Sequence, residues 1–227
     1  MSIRFSLMTV ALIILLVCPA CGEPAPSAQQ LPTLLQGTSV TIDGTLEPEE
    51  WNAAYVKTFA EGSKLLLMRD ATYLYLAIRA TTDEMIAANV YTEEEGEVLI
   101  RHVSAALGTA WYRPGEGEWL RAQDFQWQCR ATDNSDASRA ERLAFLEQQG
   151  WLAANSRRGT PNELEYQIEI AGETLALAVA FMRTSDPDRR IFLPLDLADD
   201  TTQPTPGGLP ETRMFSPDSW MRLDLSN

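Results

Sequence analysis

VTIDGTLEPEEW, residues Val40 to Trp51, packs a strand pattern, a turn and a tryptophan into twelve positions. Val40 and Ile42 alternate with the polar Ser39 and Thr41, which predicts a short entry strand. Asp43-Gly44 is a turn signal, and Glu47-Pro48-Glu49-Glu50 opens one helical turn that carries Trp51 inward. The expected product is a strand followed by an aromatic plug.

Working outward, the next matching piece is DATYLYLAIRA, Asp70 to Ala80, after a short apolar strand at Lys64 to Met68. Leu74, Leu76 and Ile78 face one way and Tyr73, Tyr75 and Arg79 the other, the period of two of an antiparallel strand. Ile42, Asp43, Gly44, Leu46, Glu47 and Trp51, with Asp70, Leu74, Tyr75 and Leu76, make a pattern that resembles the family 9 carbohydrate-binding modules and their relatives. The resemblance implies an all-β chain, an antiparallel, jelly-roll-like β-sandwich that binds carbohydrate without catalysis. It names the fold more firmly than the activity, because Ile42, Asp43, Gly44, Trp51 and Tyr75 are scaffold residue types. The paired tryptophans with which such modules clamp a sugar have no alignable counterpart downstream.

The N-terminus carries Arg4, then the apolar run Leu7 to Val17, then small residues before Cys21, which reads as a secretory signal over residues 1–20 and is too short for a membrane span. Cys21, followed by Gly22 and the proline-rich stretch Glu23 to Gln36, is expected to be lipidated and to start a flexible tether. The expected address is the cell envelope, at the outer membrane, facing periplasm or cell surface, with the membrane touched through that anchor only. An ordinary signal peptide is the alternative.

The chain has 227 residues and 18 basic against 32 acidic side chains, a net charge of −14. Such a balance excludes nucleic acid as a partner, since phosphate binding needs clustered Lys and Arg. The stretch 37–227 suffices for one β-sandwich with a good core and is too short for two ordinary domains. Beyond Cys18 and Cys21 the only cysteine is Cys129, which alternates with Phe125 and Trp127 and reads as a buried small hydrophobe, so no disulfide framework is expected.

Along the rest of the chain, Thr82 to Glu97, with Glu93, Glu94, Glu95 and Glu97, reads as a charged loop. Glu97 to Tyr112 reads as one long strand bulged near Gly108, and Pro114-Gly115-Glu116-Gly117 as the turn of a hairpin returning through Trp119 to Arg130. Asp133 to Gln149 is the one helix, with Ser138 and Glu141 at capping-box spacing and Gly150 to stop it. Glu163 to Ile170, Thr174 to Met182, Ile191 to Leu197 and Met221 to Leu225 read as strands, with a polar loop at Ala198 to Pro210.

For chemistry, the single histidine, His102, sits in a strand with no Gly-x-Ser-x-Gly elbow, which argues against a histidine-based nucleophilic site. One His and one domain Cys also supply no zinc site. Glycoside hydrolysis needs only two carboxylates, and Glu93 to Glu97, Asp124, Asp196 and Asp199 are available. No cofactor is expected apart from a structural calcium, for which Asp196, Asp199 and Asp200 offer hard oxygen ligands. The resemblance also brings in sandwich relatives that hold haem between a methionine and a lysine or histidine, so a haem-binding electron-transfer domain is the alternative function. Met68, Met85, Met182 and Met214 with His102, Lys57 or Lys64 are the available ligands. A structural envelope lipoprotein with a protein partner is the third reading. Sugar rings stack on Trp and Tyr. The expected platform is therefore Trp111, Tyr112 and Trp119 at the hairpin, with Trp151 after the helix, while Trp51 and Trp127 are expected inside.

Overall fold

The computed structural model describes residues 32, 34–103, 106–128, 135–155, 161–170, 172–203 and 208–226. In chain order the strands are β1 (Tyr55–Thr58), β2 (Lys64–Arg69), β3 (Tyr73–Arg79), β4 (Ile86–Glu94), β5 (Glu97–Val103), β6 (Ala106–Pro114), β7 (Trp119–Gln123) and β8 (Trp127–Gln128). The helix α1 (Asp136–Glu147) follows, then β9 (Trp151–Asn155), β10 (Glu163–Glu169), β11 (Thr174–Arg183), β12 (Asp186–Leu193), β13 (Thr212–Arg213) and β14 (Met221–Asp224). Two sheets form. The smaller runs β1-β2-β3-β10-β9; the larger runs β12-β11-β4-β5-β6-β7-β13, with β14 also on β11 and β8 also on β6. Every strand pair is antiparallel, so the chain is an all-β sandwich.

The period of two explains how the layers meet. Leu74, Leu76 and Ile78 of β3 and Leu164, Tyr166 and Ile168 of β10 face Ala88 and Val90 of β4 and Leu177, Val179 and Phe181 of β11 across one core. The opposite faces of both sheets are also covered. Ala176, Ala178 and Ala180 of β11, Tyr91 of β4 and Tyr112 of β6 lie under Leu209, Phe215 and Trp220 from the C-terminal segment. Val40, Ile42, Leu46 and Trp51 lie over Met68, Tyr75 and Ala77 of the smaller sheet. Alanine on the outer face of β11 leaves room for that C-terminal cover, which is why a stretch rich in Ala and Leu is a strand here.

Several expectations are corrected. Val40 and Ile42 form no strand; they are buried as a loop pressed onto the smaller sheet. Thr82 to Glu97 is not a loop. Its Ile86–Glu94 half is the fully paired centre of the larger sheet, between β11 and β5, because Ile86, Ala88 and Val90 alternate into the core. Glu97 to Tyr112 is two strands rather than one: Val103 pairs with Leu107 and His102 with Gly108, so the chain reverses between them. The helix begins at Asp136, and its cap is Ser135, whose hydroxyl accepts from the Ser138 amide; Ser138 lies inside the first turn. The tether also ends sooner than expected, since Leu34 is buried and Gln36 bridges to Arg69. Trp127 lies in β8, its side chain outside the described residues, as is Cys129.

Candidate functional site

The signature residues build a clamp. β10 reads ELEYQIE, and its apolar residues enter the core while Glu163 and Glu165 face outward under the loop 40–51. The amides of Asp43 and Gly44 donate to Glu165 Oε2 at 3.1 and 2.7 Å, and the Trp51 indole N–H donates to Oε1 at 3.1 Å. Leu46 N–H donates to Glu163 Oε2 at 2.9 Å, and Arg79 bridges the other oxygen at 2.5 Å. Gly44 holds φ at 89°, a conformation that costs other residues energy, and so turns its amide onto the carboxylate. Asp70 does the same in miniature, accepting from the Thr72 and Tyr73 amides and from the Tyr75 hydroxyl at 2.7 Å. Glu165 is fully buried without a cation beside it; burial pushes its carboxyl up to about 7, against the pull of the Gly44, Trp51 and Asp43 N–H groups. All of this is scaffold chemistry.

The expected aromatic platform is split by the sheet. Tyr112 is fully buried on the outer face of β6, its ring edge-on to Phe215 at 5.2 Å, its hydroxyl donating to Pro210 O. Trp119 shares that face, packs on Phe215 at 6.2 Å and donates its indole N–H to Phe215 O. Trp151 is 1 % exposed, stacked on Tyr166 at 5.8 Å and bonded to Thr109 Oγ1. Tyr112 and Trp151 are therefore core residues and present no face to a ligand. Trp111 alternates with Tyr112 along β6 and so points to the opposite side from Tyr112 and Trp119; no single platform joins them.

Trp111 is the half-buried member of the set on the inner face. The sheets touch through β10 on β4 and β9 on β5, and α1 packs on both β9 and β6, so the inner side of β6 meets the helix as well as β9. On β6 Trp111 pairs across the strands with Leu99 and with Gln123, both partly exposed. The next row inward holds Arg101 and Thr109. Arg101 is 4 % exposed; its Nη1 donates to Thr92 Oγ1 at 2.6 Å and its Nη2 bridges Glu94 at 3.0 Å. Its Nε and the Trp111 Nε1 are both enclosed and have no acceptor among the described residues. Buried donors are rarely left so, since each costs about 1–3 kcal/mol. Thr92 and Glu94 escape a reading in which 82–97 is a loop; the alternation of Ile86, Ala88 and Val90 is the signal that places them.

The remaining groups are engaged elsewhere. Asp199 accepts from the Thr201 amide and hydroxyl, the Ser216 amide and the Trp220 indole, and Asp200 Oδ2 takes the Met214 amide. Asp199 thus fastens a loop with its oxygens, Asp196 is exposed, and no three His, Cys, Asp or Glu among the described residues form a metal group. Glu93 faces Arg222, Glu97 bridges Arg113, and Asp124 bridges Arg121. His102 Nδ1 lies 2.6 Å from Asn89 Oδ1 and 3.2 Å from Ala88 O, with its ring on Phe125, and burial drives its pKa down to about 4. Met68 is buried on the other sheet from His102, against Gly37, and Met214 is exposed. A cleft of about 620 Å³ opens at the β11–β12 end, but its Arg183 already bridges Glu84 and Asp186.

No family model and no curated protein matches the chain. Among solved structures, it is similar to a carbohydrate-binding module of family 9 from Caldicellulosiruptor kristjanssonii in complex with cellotriose, at 13% identity and a TM-score of 0.39 over 85% of this chain and 92% of that one. A second structure, a family 9 module from the same organism in complex with glucose, is similar at 14% identity and a TM-score of 0.40 over 85% and 94%. Likeness of that degree carries no inference about what this chain binds.

Proposed function

We propose that the chain is a carbohydrate-binding sandwich whose ligand stacks on Trp111 and takes hydrogen bonds from the groups around it. One observation carries the reading. Trp111 is a half-buried tryptophan on the inner face of β6, and its own indole N–H and the Nε of Arg101, one row away, have no acceptor among the described residues. An aromatic face with polar groups at its margin suits the apolar C–H face and hydroxyl fringe of a sugar ring. Lipidation at Cys21 and attachment to the cell envelope belong to the same proposal, supported by the apolar run, Ala20 and the proline-rich stretch. Titration of the full chain against a panel of oligosaccharides tests it. Wild type should bind at least one glycan, and Trp111→Ala should weaken that binding roughly ten-fold with the fold intact. Equal affinity in wild type and variant would sink the assignment.

A further inference from the structure

Arg101 and Trp111 sit on the same face of β5 and β6, one row apart, as diagonal neighbours within reach of long side chains. The two nitrogens without partners, Arg101 Nε and Trp111 Nε1, are donors only. The charge of Arg101 is already met by Glu94 at 3.0 Å, so what is wanted there is a neutral acceptor rather than an anion. A sugar hydroxyl that accepted both N–H groups would still carry a proton needing an acceptor of its own. A carbonyl oxygen has two lone pairs and no proton.

We infer that the ligand at this site is an N-acetylated sugar, its acetamido carbonyl accepting from Trp111 Nε1 and Arg101 Nε and its ring lying on Trp111; this rests on the carbohydrate reading of the same site. Both nitrogens are enclosed in the ligand-free chain while the Trp111 residue is half exposed, so a group reaches them only if side chains beside the ring give way, which favours a small, flat one. An acetamido group has that shape and a pyranose does not. The deacetylated sugar loses the acceptor and gains a charge that the site has no need for.

The test is calorimetric titration of the full chain with oligomers of N-acetylglucosamine, glucosamine and glucose of equal length. The acetylated oligomer should bind roughly ten-fold tighter than the glucose oligomer, the worth of one or two hydrogen bonds made in a closed site. Trp111→Phe keeps a ring and removes the N–H, so it should retain binding and lose that preference. Proton–nitrogen spectra of the wild type add a reading independent of any variant: at saturation the Trp111 indole N–H proton should shift downfield with the acetylated oligomer, as a newly hydrogen-bonded N–H does, and should not shift downfield with the glucose oligomer, which only stacks on the ring. Tighter binding of the glucose oligomer, or a preference that survives Trp111→Phe, overturns the acetamido assignment and leaves the carbohydrate reading standing. No binding of any oligomer by a folded chain overturns both.

Discussion

Glu165 accepts the indole N–H of Trp51 at 3.1 Å from a position 114 residues away. The contact joins the start of the domain to a central strand of the smaller sheet and makes the opening motif part of the tertiary structure rather than a local turn. Truncating a buried tryptophan typically costs about 3–5 kcal/mol. Trp51→Ala should lose stability on that order in urea denaturation, and Trp51→Phe should lose less, since the ring volume largely remains and the main loss is one acceptor contact. Equal losses in the two variants would show that the hydrogen bond is immaterial.

Burial raises Glu165 to about 7 in the folded chain against an ordinary value near 4.5. The native state therefore holds this proton more tightly than the unfolded state does. The contribution is fully present below pH 4.5 and is lost as pH rises through about 7. Glu165→Gln should flatten the stability profile between those values while keeping an acceptor for the loop amides. The check is urea midpoints at several pH values for both proteins; parallel profiles would exclude Glu165 as the titrating group.

His102 has the opposite sign. Burial, with a smaller push from Arg190 and an opposing hydrogen bond to Ala88 O, depresses its pKa to about 4, so the unfolded chain takes up this proton first. Stability contributed by the neutral ring is present above pH 6.5 and lost as pH falls toward 4. In a Glu165→Gln background, His102→Gln should remove that acid-side slope. Retention of the slope would assign it to the carboxylates instead.

The two tryptophans of the β6–β7 hairpin should part company. Trp119→Ala removes a ring packed on Phe215 and Tyr112's neighbourhood, so it should lower the melting temperature and leave glycan affinity unchanged. Trp111→Ala should lower affinity and leave the melting temperature nearly unchanged. Paired melts and titrations decide it, and loss of binding in both would restore the idea of a shared platform.

Cys21→Ser should abolish lipid attachment, which membrane partition and the mass of the mature protein report. Unchanged partition and mass would exclude Cys21 as the anchor.

Much of the sandwich was legible because strand alternation and turn chemistry are local. Thr174 to Arg183 shows it: strict alternation of large apolar residues with alanine outweighed the helix preference of Ala and Leu. Ile86 to Glu94 escaped because its acidic end and the residues just before it look like loop, although its first seven residues are buried. The site was harder to read. Which face a tryptophan takes depends on where a strand begins and ends, and treating 97–112 as one strand hid the row that sets Arg101 beside Trp111. The buried carboxylates of β10 gave no local signal at all, since their partners lie more than eighty positions earlier.

β12 and β14 divide one side of β11 between them, β14 pairing with Thr174 to Leu177 and β12 with Val179 to Arg183. The last strand of the chain is thus a guard against self-association: it occupies main-chain groups that another molecule's strand would otherwise capture. A chain ending before Met221 would display a bare segment of β11 flanked by Leu175 and Leu177, the kind of ribbon on which sheets of neighbouring molecules grow. Losing β14 should therefore expose the Thr174–Leu177 edge of β11 to pairing with another molecule's strand.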